Sequence, residues 1–183
     1  MSTYRIGYLV GSLAKGSINR KLAKALAKLA PPELALEEIP IGELPLYSYD
    51  YDADFPEVAR RFKQAIAGVD GVLFVTPEYN RSVPAALKNA IDVGSRPYGQ
   101  SAWSGKPGAI ISVSPGAIGG FGANHHLRQS LVFLDVWCMQ QPEAYLGGAG
   151  SVFDEAGKVS EKTKPFLQAF IDAYGKWVEK QKG

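Results

Sequence analysis

The segment that decides the fold reads Ile6-Gly-Tyr-Leu-Val10, then Gly11-Ser-Leu-Ala-Lys-Gly-Ser-Ile-Asn19, then Leu22-Ala-Lys-Ala-Leu-Ala-Lys-Leu29. The first run is apolar and short, which predicts a buried strand. In the third, leucines and alanines recur at helical spacing, so a helix is expected over Ile18–Leu29, stopped by Pro31-Pro32. Between them lies a turn of glycines and hydroxyls. Such a turn suits an anion, because glycine lets the backbone approach closely and the free N–H groups and dipole of the helix start favour negative charge.

Working outward, the same alternation repeats. Tyr4–Val10 is the first strand and Leu34–Ile39 the second, alternating and closer to an edge. Pro40–Pro56 is a long loop with Tyr47, Tyr49 and Tyr51, of a length often tied to function. A helix is expected over Pro56–Ala67, a strand over Gly71–Val75, and a helix over Val83–Val93 with Pro84 in its first turn. Gly94–Pro107 reads as a loop, Gly108–Val113 as the fourth strand and Ala123–Phe133 as the fourth helix. Val136–Tyr145 holds the fifth strand, and Glu161–Lys180 forms the last helix, with Phe166, Phe170, Ile171, Tyr174 and Val178 on its apolar stripe. Five β-α units predict a parallel sheet between two helical layers, with right-handed crossovers. Ligands of such sheets sit at the carboxyl ends of the strands. No repeat or linker divides the chain, so residues 1–183 are expected to form one domain.

Composition narrows the function. A net charge of +2 gives no electrostatic case for nucleic acid or an anionic membrane. No apolar run reaches the roughly 20 residues of a membrane span, and the N-terminus lacks a signal-peptide layout. One cysteine, Cys138, precludes an internal disulfide, and the expected compartment is the cytoplasm. Cys138, on an expected buried strand without a C-x-x-C partner, reads as a small apolar residue. His125 and His126 are adjacent and point about 100° apart on a helix, so neither they nor any cysteine cluster predicts a metal site. There is no G-x-S-x-G elbow for a hydrolase.

Three loops at strand ends carry the chemistry. In the first, Ser12, Ser17 and Asn19 can donate to phosphate oxygens, and Lys15 and Arg20 bring positive charge. Gly11 and Gly16 have P-loop spacing, but Ser17 stands where the P-loop lysine would, so a triphosphate site is not expected. The G-x-G-x-x-G dinucleotide fingerprint is missing too. A monophosphate nest remains, beside the plainer reading of a glycine turn with capping serines. In the second loop, Thr76-Pro-Glu-Tyr-Asn-Arg-Ser82, Pro77 stiffens the chain and Tyr79 offers an aromatic face. Asn80 and backbone N–H groups can bond a heteroaromatic ring, and Glu78 reads as a structural acceptor. In the third, Ser114-Pro-Gly-Ala-Ile-Gly-Gly120, the glycines keep side chains away from a flat ligand.

These loops, with Ser82-Val-Pro84, Leu87-Lys-Asn-Ala-Ile-Asp92, Ser95-Arg-Pro97 and His126-Leu-Arg-Gln129, make the chain resemble the NADPH-dependent FMN reductase family. That group includes bacterial quinone and chromate reductases and related azoreductases. The resemblance implies a flavodoxin-like three-layer α/β/α sandwich with strand order 2-1-3-4-5. It implies non-covalent FMN, with Ser12, Lys15, Ser17, Ile18 and Asn19 around the phosphate. Pro77, Glu78, Tyr79 and Asn80 would contact the ring and ribityl chain, and Ser114, Gly116, Gly119 and Gly120 the ring's other edge. Relatives commonly carry Arg where Ala14 stands, and an aromatic where Arg81 stands.

The implied activity is oxidoreduction. NADPH or NADH gives a hydride to FMN, which then reduces a small-molecule acceptor (quinone, azo compound, metal oxyanion or free flavin) in ping-pong fashion. No side chain need act as acid or base, so no catalytic residue is assigned. Arg81 and Arg96 are candidates for the nicotinamide nucleotide's phosphates, and Tyr98, Trp103 and Phe121 for the acceptor pocket. A homodimer or homotetramer is implied, with no nucleic-acid partner. The rival readings are a flavodoxin-like electron carrier, against which the +2 charge argues, and a flavin-binding protein without turnover.

Overall fold

A computed structural model describes residues 3–183. Five β-α units alternate as the sequence predicts: β1 (Tyr4–Val10), α1 (Ile18–Leu29), β2 (Leu34–Glu38), α2 (Glu57–Ala67), β3 (Gly71–Thr76), α3 (Ala85–Ser95), β4 (Lys106–Val113), α4 (Phe121–Phe133), β5 (Val136–Cys138), β6 (Ala144–Leu146) and α5 (Lys164–Lys182). The strands run parallel in the order β2-β1-β3-β4-β5, the expected 2-1-3-4-5 arrangement. Register brings Tyr8 beside Leu73 and Leu73 beside Ala109.

The central strands are buried on both faces because helices cover both. Every residue of β3 and β4 is buried. On one side Ile6, Tyr8, Leu73 and Ile111 pack against Leu22 and Leu26 of α1 and Phe170, Ile171 and Tyr174 of α5. On the other, Leu9, Phe74 and Ile110 pack against Phe62 and Ile66 of α2, Leu87 and Ile91 of α3, and Leu127 of α4. Tyr174 is buried within the first layer and donates its hydroxyl to Val72 O (2.9 Å), so its polar end is satisfied and its ionisation pushed up by burial.

Several boundaries differ from the sequence reading, α3 running over Ala85–Ser95 rather than Val83–Val93 and α4 starting at Phe121 rather than Ala123. The expected fifth strand is two short ones: β5 pairs with β4 at Lys106–Gly108, and β6 pairs with the same strand at Ile111–Val113. Pro142 between them has no N–H to give to a ladder, so pairing lapses and resumes. β4 starts at Lys106 rather than Gly108, because Lys106 buries its stem and donates its ammonium to Val69 O (2.6 Å). α5 starts at Lys164 rather than Glu161, after a turn in which Thr163 N–H bonds Ser160 O.

Candidate functional site

The first three inner strands end side by side, and the loops that leave them meet. Gly11 closes β1 against the end of β3, where a Cβ would sit 2.8 Å from Thr76 Oγ1 and 3.2 Å from Pro77. The second and third loops touch through Gly120, whose added Cβ would lie 3.7 Å from the Glu78 Cβ. Gly119 and Gly120 have φ of +63° and +82°, and a side chain at Gly119 would strike the backbone of Tyr145 and Leu146. Glycine is required there by both conformation and space.

In the first loop, Ser17 is the N-cap of α1 and accepts the Arg20 N–H at 3.2 Å. Its own hydroxyl hydrogen stays available. The amides of Ser12 to Gly16, and those of Ile18 and Asn19, have no acceptor among the described residues. Asn19 is buried at 3% exposure, and its Oδ1 has no hydrogen-bond partner. An amide can turn about its last bond and keep its shape, so this is a buried hydrogen-bonding position awaiting a partner. Lys15 is exposed and in no ion pair among the described residues. Arg20, expected as a second charge for this loop, is instead held by Glu38 (Nε to Oε1, 3.2 Å).

The second loop turns back sharply. Tyr79 and Ser82 exchange both backbone hydrogen bonds at 3.1 and 3.0 Å, while Asn80 (φ 50°) and Arg81 (φ 64°) take left-handed conformations. This is the geometry of a type I′ turn, favourable for Asn and unfavourable for Arg. The amides of Glu78, Asn80 and Arg81 have no acceptor among the described residues. The Glu78 carboxylate is engaged: Oε2 accepts the Ala123 N–H at 3.0 Å at the start of α4, and Oε1 faces Arg81 at 3.5 Å. It is a structural acceptor, as the sequence suggests, and completes the N-terminus of a helix whose cap, Gly120, has no side chain. In the third loop Ser114 Oγ accepts the Gly116 N–H (3.2 Å), and the amides of Ala117, Ile118 and Gly120 have no acceptor among the described residues. Leu13, Tyr79, Ile118 and Phe121, one or two from each loop or its end, are about half exposed. Each loop or its end thus carries exposed apolar surface beside its unpaired N–H groups.

Other candidates fall elsewhere. Trp103, expected near an acceptor, is fully buried and donates to Ile91 O (3.0 Å), so it belongs to the core. Tyr98 is exposed, and Arg96 lies 5.9 Å from the Tyr47 ring. Phe121, a candidate for the acceptor pocket, lies beside the third loop and packs on His125 at 4.2 Å; sequence reasoning missed the partner of that pair, Tyr145, whose hydroxyl is 2.8 Å from His125 Nε2. Burial, aided by Glu143, pushes Tyr145 up to about 12, so at neutral pH it stays protonated. Asn89 was missed as well. Its amide accepts from Tyr47 N–H and donates to Pro45 O, both at 2.9 Å, fastening the loop after β2 to α3. Among the described residues no group of three metal-ligating side chains clusters, and no helix is long and apolar enough to cross a membrane.

A buried amide without a partner, seven unpaired N–H groups at one helix start, and flat glycine loops fit a phosphate carrying a planar ring. Comparison with known proteins agrees. The family model for NADPH-dependent FMN reductase matches residues 4–151. A quinone reductase of Pseudomonas putida is 66% identical over 177 residues, spanning 96% of this chain and 95% of its own. A 2-hydroxy-1,4-benzoquinone reductase of a Burkholderia species is 56% identical, over 95% and 96%. The solved structure of FerB, a flavoenzyme NAD(P)H:(acceptor) oxidoreductase of Paracoccus denitrificans, superposes with a TM-score of 0.92 at 46% identity, covering 98% of this chain and 99% of that one.

Proposed function

Since the chain belongs to the NADPH-dependent FMN reductase family, we propose that it is an FMN-dependent NAD(P)H:quinone oxidoreductase whose three loops hold the flavin and whose reductant and acceptor use one open face in turn. The observation that carries this reading is the set of unpaired amides of Ser12 to Gly16, Ile18 and Asn19, together with the orphaned Asn19 side-chain amide. Bound FMN supplies a carrier for the hydride of NAD(P)H and the electrons passed to the acceptor.

The chain's own part is binding and electrostatics. Ile18 and Asn19 N–H, at the positive end of α1, donate to the phosphate, and Ser17 can add its hydroxyl while still capping the helix. Lys15 supplies the nearby cation, because Arg20 is committed to Glu38. In the second loop Glu78 and Asn80 would present free backbone N–H groups to one edge of the ring, beside Pro77, which has no N–H, and Tyr79, whose N–H is bonded to Ser82 O. Ser114, Gly116, Gly119 and Gly120 line the other edge without side-chain bulk. Donors fixed by a tight turn would meet negative charge on a bound ring without reorganising. Glu78 moves no proton, since both its oxygens are occupied.

Acceptor class follows from the open face, and quinones are favoured by what the relatives are named for. Assembly as a homodimer or homotetramer in the cytoplasm is part of the proposal, supported by exposed Leu46, Tyr49 and Tyr98 on neighbouring loops. Light scattering tests the assembly. The activity is tested by sequential stopped flow: NADPH should bleach the flavin absorbance, and a benzoquinone added after NADP⁺ has left should restore it. Flavin-loaded protein that NADPH and NADH both fail to bleach would sink the reading.

A further inference from the structure

A second recess, away from the three loops, is a cleft of about 430 Å³ between α1 and the segment that leads into α5. Its floor is apolar. Leu29 comes from α1, while Phe153 and Val159 face each other across an antiparallel bridge. The hairpin that carries them is closed by Asp154 N–H to Lys158 O and Lys158 N–H to Asp154 Oδ1, both 2.8 Å. Its turn, with Gly157 at φ +75°, is therefore built rather than loose.

The rim is positive. Lys21, Lys24 and Lys28 stand three and four residues apart, on one face of α1, and Lys158 and Lys164 approach from the other side. None of these five ammonium groups is within 4.0 Å of a carboxylate among the described residues; the ion pairs there use Arg5, Arg20, Arg60, Arg61, Arg81 and Lys88. Only Asp154 and Glu161 oppose them, which leaves the cleft at +3 in a chain whose total is +2. The carboxylate of Asp154 is already engaged by the hairpin backbone. Lysines spaced this way repel one another, and no ion pair among the described residues offsets them.

We propose that this cleft binds an amphipathic organic anion, its apolar body on Leu29, Phe153 and Val159 and its acidic head among the lysines. The volume lies within the range of about 300–1,000 Å³ that small-molecule sites use. Lysine stems can cover the flanks of the apolar body while the ammonium groups stay wet. The cleft runs along α1 away from the phosphate loop: Lys21 lies about 6 Å and Lys28 about 16 Å along the helix from Ser17, four and eleven residues at 1.5 Å each. The inference does not depend on what the three loops bind.

The test uses flavin-saturated full-length protein and decanoate as the probe. Calorimetry should show saturable one-to-one binding, and hydrogen exchange should slow in residues 24–29 and 153–164. The K24Q/K28Q/K158Q variant should weaken decanoate at least tenfold, and F153S should weaken it too, with flavin content and quinone turnover unchanged in both. Decanol and inorganic phosphate should each bind at least tenfold more weakly than decanoate. The proposal is overturned if decanoate gives no saturable binding, if the triple variant binds it unchanged, or if decanol or phosphate binds as well as decanoate does. Lysine-dependent retention on phosphatidylglycerol vesicles without decanoate binding would also overturn it, in favour of a bilayer surface.

Discussion

Replacing Asn19 with Leu separates the two roles that a buried polar group can have. The side chains have the same number and branching of heavy atoms, so the pocket is refilled with little cavity or overlap. In the protein without cofactor, Asn19 Oδ1 is buried without a partner, a state that costs about 1–3 kcal/mol. Asn19→Leu removes that cost, and the cofactor-free protein should gain stability. For a chain of 183 residues, each kcal/mol moves Tm by about 2–4 °C, so an upward shift of several degrees is expected. FMN should behave in the opposite way. A hydrogen bond to a charged phosphate contributes about 1.5–3 kcal/mol, so its loss should weaken FMN about ten- to hundredfold. Differential scanning calorimetry of cofactor-free protein and a fluorescence titration with FMN read the two quantities separately. If Asn19→Leu lowers the Tm of the cofactor-free protein and leaves FMN affinity unchanged, the amide serves the fold alone and does not reach the phosphate.

Three further changes probe neighbouring points. Ala14→Arg places a bidentate guanidinium where Lys15 offers only a point charge, and should tighten FMN about tenfold by the same titration; no change would mean that the nest is already saturated. Arg81→Gly relieves a left-handed non-glycine residue at the cost of an exposed 3.5 Å ion pair. It should raise stability by about 1 kcal/mol in urea unfolding, and a loss would contradict the turn assignment. Burial pushes the Cys138 thiol up to about 11 from its usual 9.0. Its thiolate fraction at pH 8 should be about a hundredfold below that of a free thiol, and reaction with a disulfide reagent correspondingly slow. As the folded value is the higher one, Cys138 should also withdraw stability between pH 9 and 11, where the unfolded thiol ionises and the folded one does not. Cys138→Ala should flatten that part of the stability profile.

The fold was legible because periodicity is local. The apolar runs at Ile6–Val10 and Val72–Val75 and the stripe of Leu22 and Leu26 state their burial within a few residues. What stayed hidden depends on partners distant in sequence. Asn89 sits in a helix whose pattern announces only its apolar face, yet it bonds Tyr47 and Pro45, more than 40 residues away. Arg20 looked available to an anion because Glu38 is 18 residues off and its approach follows from β2 pairing with β1. Trp103, in a glycine- and proline-flanked stretch, read as a candidate wall of the acceptor pocket; its indole fills the space beside Gly94, where a Cβ would come within 2.5 Å of the ring. The split between β5 and β6 was written in Pro142, but only a known ladder makes a missing N–H informative.

The proposed site shows a deeper limit. Its donors are predominantly backbone amides, those of Ser12 to Gly16, Ile18, Asn19, Glu78, Asn80, Arg81, Ala117, Ile118 and Gly120, and a backbone amide carries no residue-type signature. The sequence marks such donors only indirectly, through residues that permit the conformation. Gly119 and Gly120 take positive φ, Asn80 accepts a left-handed turn, and Ser17 caps a helix so that the N–H groups beside it remain free. This explains why no acid–base pair was found. Hydride and electron transfer need a ring held flat and negative charge met by fixed dipoles, and amides held by turns do that with no proton of their own to exchange. Loss of a single side chain from the ring loops should therefore affect the reaction less than a change of loop shape. Gly120→Ala, which forces a Cβ to 3.0 Å from Ser112 at φ +82°, should lower quinone turnover more than Tyr79→Leu, which keeps the backbone. Steady-state kcat for the two variants at saturating flavin decides it, and a larger loss in Tyr79→Leu would show that the ring depends on the aromatic face rather than on the loop.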